Sequence, residues 1–124
     1  ARGGGAIVHI SSISGLETGS PPAYTAVKAA LIAHAKSTAA ELAPKNIRVN
    51  CIAPGSNYFE GGFWEQVEHA NKAMYDATLA GIPFGRMGTP EELANAVVFM
   101  ASPAASWVSG SLLLVDGVQH KGVF

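Results

Sequence analysis

Apolar positions recur along this chain with two different periods, and the period switches mark the elements. Ala6-Ile7-Val8-His9-Ile10-Ser11 is a short, β-branched and nearly continuous apolar run, as in parallel strands covered on both faces, and it predicts an α/β layer. Gly15 to Pro22 collects Gly, Ser, Thr and Pro and reads as a loop. Strong helix formers then run from Ala23 to Ala43, stopped by Pro44, with nine alanines in those 21 positions. So many small side chains let neighbouring backbones come close on more than one side, so the helix is expected to be buried on both. Asn46 to Ala53 carries Ile47, Val49, Cys51 and Ile52 and breaks off at Pro54-Gly55, predicting a second strand and hence a βαβ unit.

The second half continues the alternation. Phe63, Trp64, Val67, Ala70, Met74, Thr78 and Leu79 fall at helical spacing, predicting one helix over Glu60 to Ala80 that ends near Gly81-Ile82-Pro83. Thr89-Pro90-Glu91-Glu92 is a dense helix-start signal: Thr as N-cap, Pro at the first helical position and Glu three residues past the cap. That helix runs to about Ala101, Ser102-Pro103 stops it, and Val108-Ser109-Gly110 turns the chain into a third strand, Leu112 to Val115, before Asp116-Gly117.

Composition narrows the function classes. With 124 residues, 48% hydrophobic and 14% charged, the chain fits one folded domain over 1–124 and not a disordered segment. Eight basic residues against nine acidic ones are scattered and give a charge of −1, which leaves no footprint for nucleic acid or an anionic membrane. The single cysteine, Cys51, makes no internal disulfide, and no apolar run approaches the roughly 20 residues of a membrane span, so a cytoplasmic setting is expected. The opening Ala1-Arg2-Gly3-Gly4-Gly5 has neither an initiator Met nor the architecture of a signal or transit peptide, and suggests a fragment.

Several tempting motifs have plainer readings. Gly3-Gly4-Gly5 precedes a strand instead of following one, so it reads as a turn and not a phosphate loop. No G-x-S-x-G elbow occurs, which removes the acyl-transfer nucleophile. His9, His34, His69 and His120 are too irregularly spaced for a zinc set, so no metal is expected and the histidines read as structural. Tyr24 and Lys28 carry more. At i and i+4 on a helix they share one face about 6 Å apart along the axis, and a nearby ammonium favours the phenolate, which makes Tyr24 a candidate acid/base.

Four landmarks stand in order along the chain: Ile10-Ser11-Ser12-Ile13-Ser14-Gly15 at a strand end; Tyr24-Thr25-Ala26-Val27-Lys28 opening a helix; Ile47-Arg48-Val49-Asn50-Cys51-Ile52-Ala53-Pro54-Gly55; and Gly110 with Val115-Asp116-Gly117. Together they resemble the C-terminal half of a short-chain dehydrogenase/reductase over essentially the whole chain. The resemblance implies an α/β fold, the C-terminal half of a doubly wound Rossmann-type parallel sheet, with three strands and flanking helices. It also implies hydride transfer between NAD or NADP and a carbonyl or alcohol. Tyr24 would be the acid/base, Lys28 would tune Tyr24 and hold the cofactor ribose, and Ser12 would orient the substrate oxygen, with Ser11 and Ser14 as alternatives. Pro54, Gly55 and the backbone of Asn57 would lie beside the nicotinamide, although Asn57 and Phe59 stand where the family often has an aliphatic residue and a Thr. Ser14, Phe59, Phe63 and Trp64 are candidate substrate contacts, and six of the ten aromatics fall between Pro54 and Gly85.

The dinucleotide-binding half of such a fold, with its glycine-rich βα turn, is not among these residues, so NAD and NADP are not distinguished. The Ala6 to Ile10 strand would then carry an open edge, and the piece alone is not expected to be a stable monomer; another polypeptide, the N-terminal half of the same fold, should complete the sheet. A homo-oligomer, dimer or tetramer, is the expected assembly, with the alanine-rich helix as packing surface. Two alternatives stand beside the oxidoreductase: an inactive remnant serving as an interaction module, and an epimerase or dehydratase using the same Tyr and Lys.

Overall fold

The computed structural model describes residues 3–123; Ala1 and Arg2 of the glycine-led opening lie outside the described residues. Three strands, β1 (Gly5–Ile10), β2 (Ile47–Pro54) and β3 (Leu112–Val115), form one parallel sheet in the order β1-β2-β3. Gly5 faces Ile47 and Ile10 faces Ile52, while Cys51 faces Leu112 and Pro54 faces Val115. Four helices connect and flank them: α1 (Pro22–Leu42), α2 (Phe63–Ala70), α3 (Lys72–Ala80) and α4 (Pro90–Ala101). The architecture is therefore α/β with a parallel sheet and flanking helices, as the alternating periods predict.

The middle strand is the core. Val49, Cys51, Ile52 and Ala53 of β2 are buried, and Ala35 and Ala39 of α1 pack on Val49 and Cys51 with Ile32, Leu42, Ile47 and Leu112 around them. Small alanines at this contact let α1 lie close to the sheet. Two polar residues of β2 tie in the end of the chain. The Arg48 guanidinium donates to the carbonyls of Met100 (2.8 Å), Ser102 (3.0 Å) and Val108 (3.3 Å), so a cation satisfies carbonyls at the C-terminal end of α4. Buried Asn50 donates to the Val108 carbonyl at 2.8 Å and accepts from the Ser111 amide at 3.0 Å, fixing the turn that enters β3.

One expectation needs correction, and two concern cover that this chain supplies on one side only. The predicted single helix over Glu60 to Ala80 is two helices, because Asn71 leaves helical geometry (φ −148°, ψ 72°) and its side chain accepts from the Met74 amide. An asparagine side chain competes with the helix ladder in this way, and hydrophobic periodicity does not register it. Within the described residues α1 is buried on its sheet side only: Ala35 and Ala39 are buried, whereas Ala23, Ala26, Ala30, Ala33 and Ala40 are exposed, leaving the second side open to a partner. Within the described residues strand β1 is not covered on both faces, since Ile7 and Ile10 are 39% and 40% exposed, and it forms one of the two sheet edges. The α4 start follows its signal in full, with a reciprocal Thr89–Glu92 capping box. No helix among the described residues is long and apolar enough to cross a membrane.

Candidate active site

At the carboxyl end of β1 the chain makes a short 3-10 turn, Ile13–Gly15, capped by Ser12, whose Oγ accepts from the Ser14 amide at 3.1 Å. This turn crosses α1 at Gly15. A Cβ there would sit 2.8 Å from the Ala29 nitrogen and the Lys28 carbonyl carbon, so only glycine permits the contact. The crossing brings the Ser12 turn against the first two turns of α1, which carry Tyr24 and Lys28. The Lys28 ammonium donates to the Ile10 carbonyl at 3.2 Å and lies 5.5 Å from the centroid of the Tyr24 ring. The i, i+4 pair is thus on one face, as its spacing predicts. Tyr24 is 47% exposed, and Lys28 keeps two further N–H donors beyond its bond to Ile10.

The three serines stand in different situations. Ser11 is 4% exposed and its hydroxyl donates to the Lys28 carbonyl at 2.6 Å, binding β1 to α1. Ser12 uses its oxygen only as an acceptor, which leaves its hydroxyl proton free to donate. Ser14 Oγ shares a 2.8 Å hydrogen bond with Ser20 Oγ and closes the loop that leads to α1.

The carboxyl end of β2 forms the second wall. A Cβ on Gly55 would lie 2.8 Å from Asp116 Cβ and from Gln119 Oε1, so this turn too requires glycine for close approach to the segment after β3. The Asn57 amide side chain donates to the Gly55 carbonyl at 3.0 Å, and Asn57 forms an isolated parallel bridge with Gly88. Pro54 is buried at the end of β2. Beyond the turn, Phe59 and Phe63 are exposed, Trp64 is half-buried, and the Phe63 and Trp64 rings meet edge to face at 5.2 Å. The Tyr58 hydroxyl instead donates to Glu68 at 2.6 Å, and that hydrogen bond, with desolvation and the Glu68 charge, pushes the phenol up to about 12. The Tyr58 hydroxyl is thereby committed to Glu68 and resists ionisation. A cleft of about 330 Å³ lies on the far side of the turn, lined by Ser56, Asn57, Phe84, Arg86, Leu114 and Asp116; neither Tyr24 nor Lys28 lines it.

One cluster escapes sequence reading altogether. His120 Nδ1 lies 2.8 Å from Glu17 Oε2, and since a carboxylate only accepts, Nδ1 is the donor. The His120 side chain is 5% exposed and its Nε2 is buried without a hydrogen-bond partner among the described residues. Next to it, Gln119 Oε1 accepts from the Ser56 amide at 2.8 Å while its Nε2 donates to Ser56 Oγ at 3.0 Å. Glu17 and His120 are 103 positions apart, so no periodicity or spacing signal could have paired them.

The geometry has relatives. A family model described as enoyl-(acyl carrier protein) reductase matches residues 1–119. The chain is 44% identical over 115 residues to the 3-oxoacyl-[acyl-carrier-protein] reductase FabG of Chlamydia trachomatis, covering 91% of this chain and 44% of that one. It is 45% identical over 102 residues to the isoepoxydon dehydrogenase patN of Penicillium expansum, covering 82% of this chain and 39% of that one. Among solved structures, L-sorbose reductase from Gluconobacter frateurii, complexed with NADPH and L-sorbose, superposes with a TM-score of 0.82 at 36% identity, covering 98% of this chain and 49% of that one. The chain spans less than half the length of each of these proteins. Landmarks, parallel sheet and relatives agree, and the chain belongs to the short-chain dehydrogenase/reductase family.

Proposed function

We propose that these residues form the catalytic half of an NAD- or NADP-dependent oxidoreductase acting on a carbonyl or alcohol. The observation that carries the reading is the convergence of Tyr24, Lys28 and the Ser12 turn at the carboxyl end of β1, where ligands of open α/β sheets bind. The residues present suit such a cofactor: Lys28 has unused donors for a ribose, and the Gly55 turn offers backbone beside them on the neighbouring strand. When bound, the nicotinamide supplies or accepts the hydride. Tyr24 gives its proton to the carbonyl oxygen, or takes one from the alcohol in reverse. Lys28 holds positive charge near the phenol and the ribose hydroxyls. Ser12 donates its free hydroxyl proton to the substrate oxygen and fixes its position. Pro54, Gly55 and Asn57 would border the nicotinamide, and Ser14, Phe59, Phe63 and Trp64 the substrate.

The phosphate-binding half would come from residues preceding this chain or from a second polypeptide, and would pair along the open edge of β1. The exposed alanine face of α1 offers a packing surface for a dimer or tetramer. A buried lone thiol and no membrane-crossing helix among the described residues suit a cytoplasmic enzyme. In the complete protein, Tyr24→Phe should lower turnover by about 10²- to 10⁴-fold while cofactor binding, read by fluorescence titration, stays within about twofold. Substantial residual turnover in that variant would end this reading.

A further inference from the structure

We infer that the segment Asp116–His120 is a clasp that sets the two loops flanking the reaction site, with Gln119 and His120 as its two positioning residues. The inference rests on the oxidoreductase reading for its consequence in catalysis, but the clasp itself is built from observed contacts. Gln119 makes a reciprocal pair of hydrogen bonds with Ser56, holding the turn that follows β2. His120, the next residue, holds Glu17 in the loop between the Ser12 turn and α1. One short stretch of backbone therefore grips both walls at once.

The stretch is itself rigid. Asp116 accepts from the Val118 amide at 3.0 Å and from the His120 amide at 2.8 Å, and its carbonyl accepts from the Gln119 amide at 3.0 Å. Val118 is held at φ 64°, a left-handed conformation that a β-branched residue adopts only when its surroundings impose it. The side chain of His120 is nineteen-twentieths buried, so the donor end of its bond to Glu17 is removed from water while the carboxylate stays partly exposed. Loops carrying Ser12 on one side and Gly55 on the other need a common reference if their spacing is to suit one substrate, and the clasp supplies it. Displacement of such groups by even an ångström is costly in catalysis.

The test uses the complete enzyme with His120→Ala, Glu17→Ala, the double variant, His120→Asn and Gln119→Ala. His120→Ala and Glu17→Ala should each lower kcat/KM for the carbonyl substrate by about tenfold or more, mostly through KM, and the double variant should be no worse than either. His120→Asn keeps an N–H donor and should restore most of the loss. Gln119→Ala should instead raise the KM for the nicotinamide cofactor. A merely structural role would lower the melting temperature and the active fraction while leaving both KM values in place. Hydrogen exchange supplies a readout free of turnover: in His120→Ala the amides of residues 14–20 should exchange at least about tenfold faster while those of β2 are unchanged. Should His120→Ala not fold, Glu17→Ala at the half-exposed partner removes the acceptor and permits the same two measurements. Unaltered KM and unaltered loop exchange, or additive losses in the double variant, would overturn the clasp. A wild-type protein that turns over no carbonyl yet shows the exchange effect would remove the oxidoreductase reading and leave the clasp standing.

Discussion

Gly15 and the serines beside it show how much of the site depends on single atoms. A methyl group at Gly15 would meet the backbone of α1 at 2.8 Å, and neither side of that contact is a flexible side chain. Gly15→Ala should therefore destabilise the fold by about 1–3 kcal/mol and misplace Ser12, measured as a lower denaturant midpoint together with lower kcat. Ser11 and Ser12 should separate cleanly. Ser11→Ala removes a buried hydrogen bond to the Lys28 carbonyl and should cost about 1 kcal/mol of stability with little change in turnover per folded molecule. Ser12→Ala, which removes the cap on the Ser14 amide, should cost a similar amount of stability but lower kcat/KM by about 10²-fold or more; the reverse pattern of turnover would hand the role to Ser11. Strand alternation already says that the two serines face opposite ways, but which one faces the substrate depends on the long-range bond from Ser11 to α1, and no local pattern encodes it.

Among the elements, α4 is the one most fully written in its own sequence. Thr89, Pro90 and Glu92 stand at their capping positions, and the Thr89 hydroxyl and Glu92 carboxylate each accept from the other's backbone amide. Thr89→Ala should cost about 1 kcal/mol, readable by chemical denaturation. Glu92 also forms a two-pronged ion pair with Arg86, at 2.6 and 2.8 Å. Those hydrogen bonds, with the Thr89 amide, pull its carboxyl from the ordinary 4.5 down to about 2. A folded value below the unfolded one means that the contribution is fully present above pH 4.5 and is lost as pH falls from there toward about 2. Melting temperatures taken from pH 7 to pH 2 should show Glu92→Gln with a smaller acid decline than wild type over that window. Helices α2 and α3 are the opposite case. Their apolar spacing is continuous, yet one asparagine side chain satisfying an amide divides them, and periodicity is blind to a single competing hydrogen bond.

For the whole molecule, the order of strands and helices was legible because each apolar run is the right length for its element, and the Tyr24–Lys28 pair was legible because it is local. Burial was less so. The alanines of α1 and the apolar run of β1 call for cover on two sides, and within the described residues they have it on one. Residues 1–124 expressed alone should therefore associate through these surfaces, giving species larger than a monomer in sedimentation velocity; a monomer with a sharp cooperative melt would contradict this. Contacts between chain segments 52 to 103 positions apart, such as those of Arg48 and His120, were out of reach of any local rule. The three carbonyls gripped by Arg48 also set a clock for synthesis. Its last acceptor, Val108, leaves the ribosome 60 residues after the arginine itself, a delay on the order of 3–12 s at ordinary elongation rates. Until then the guanidinium is hydrated, and burying it in the middle strand without those carbonyls would cost desolvation energy. The full Arg48 contact set therefore forms only after α4 has been made.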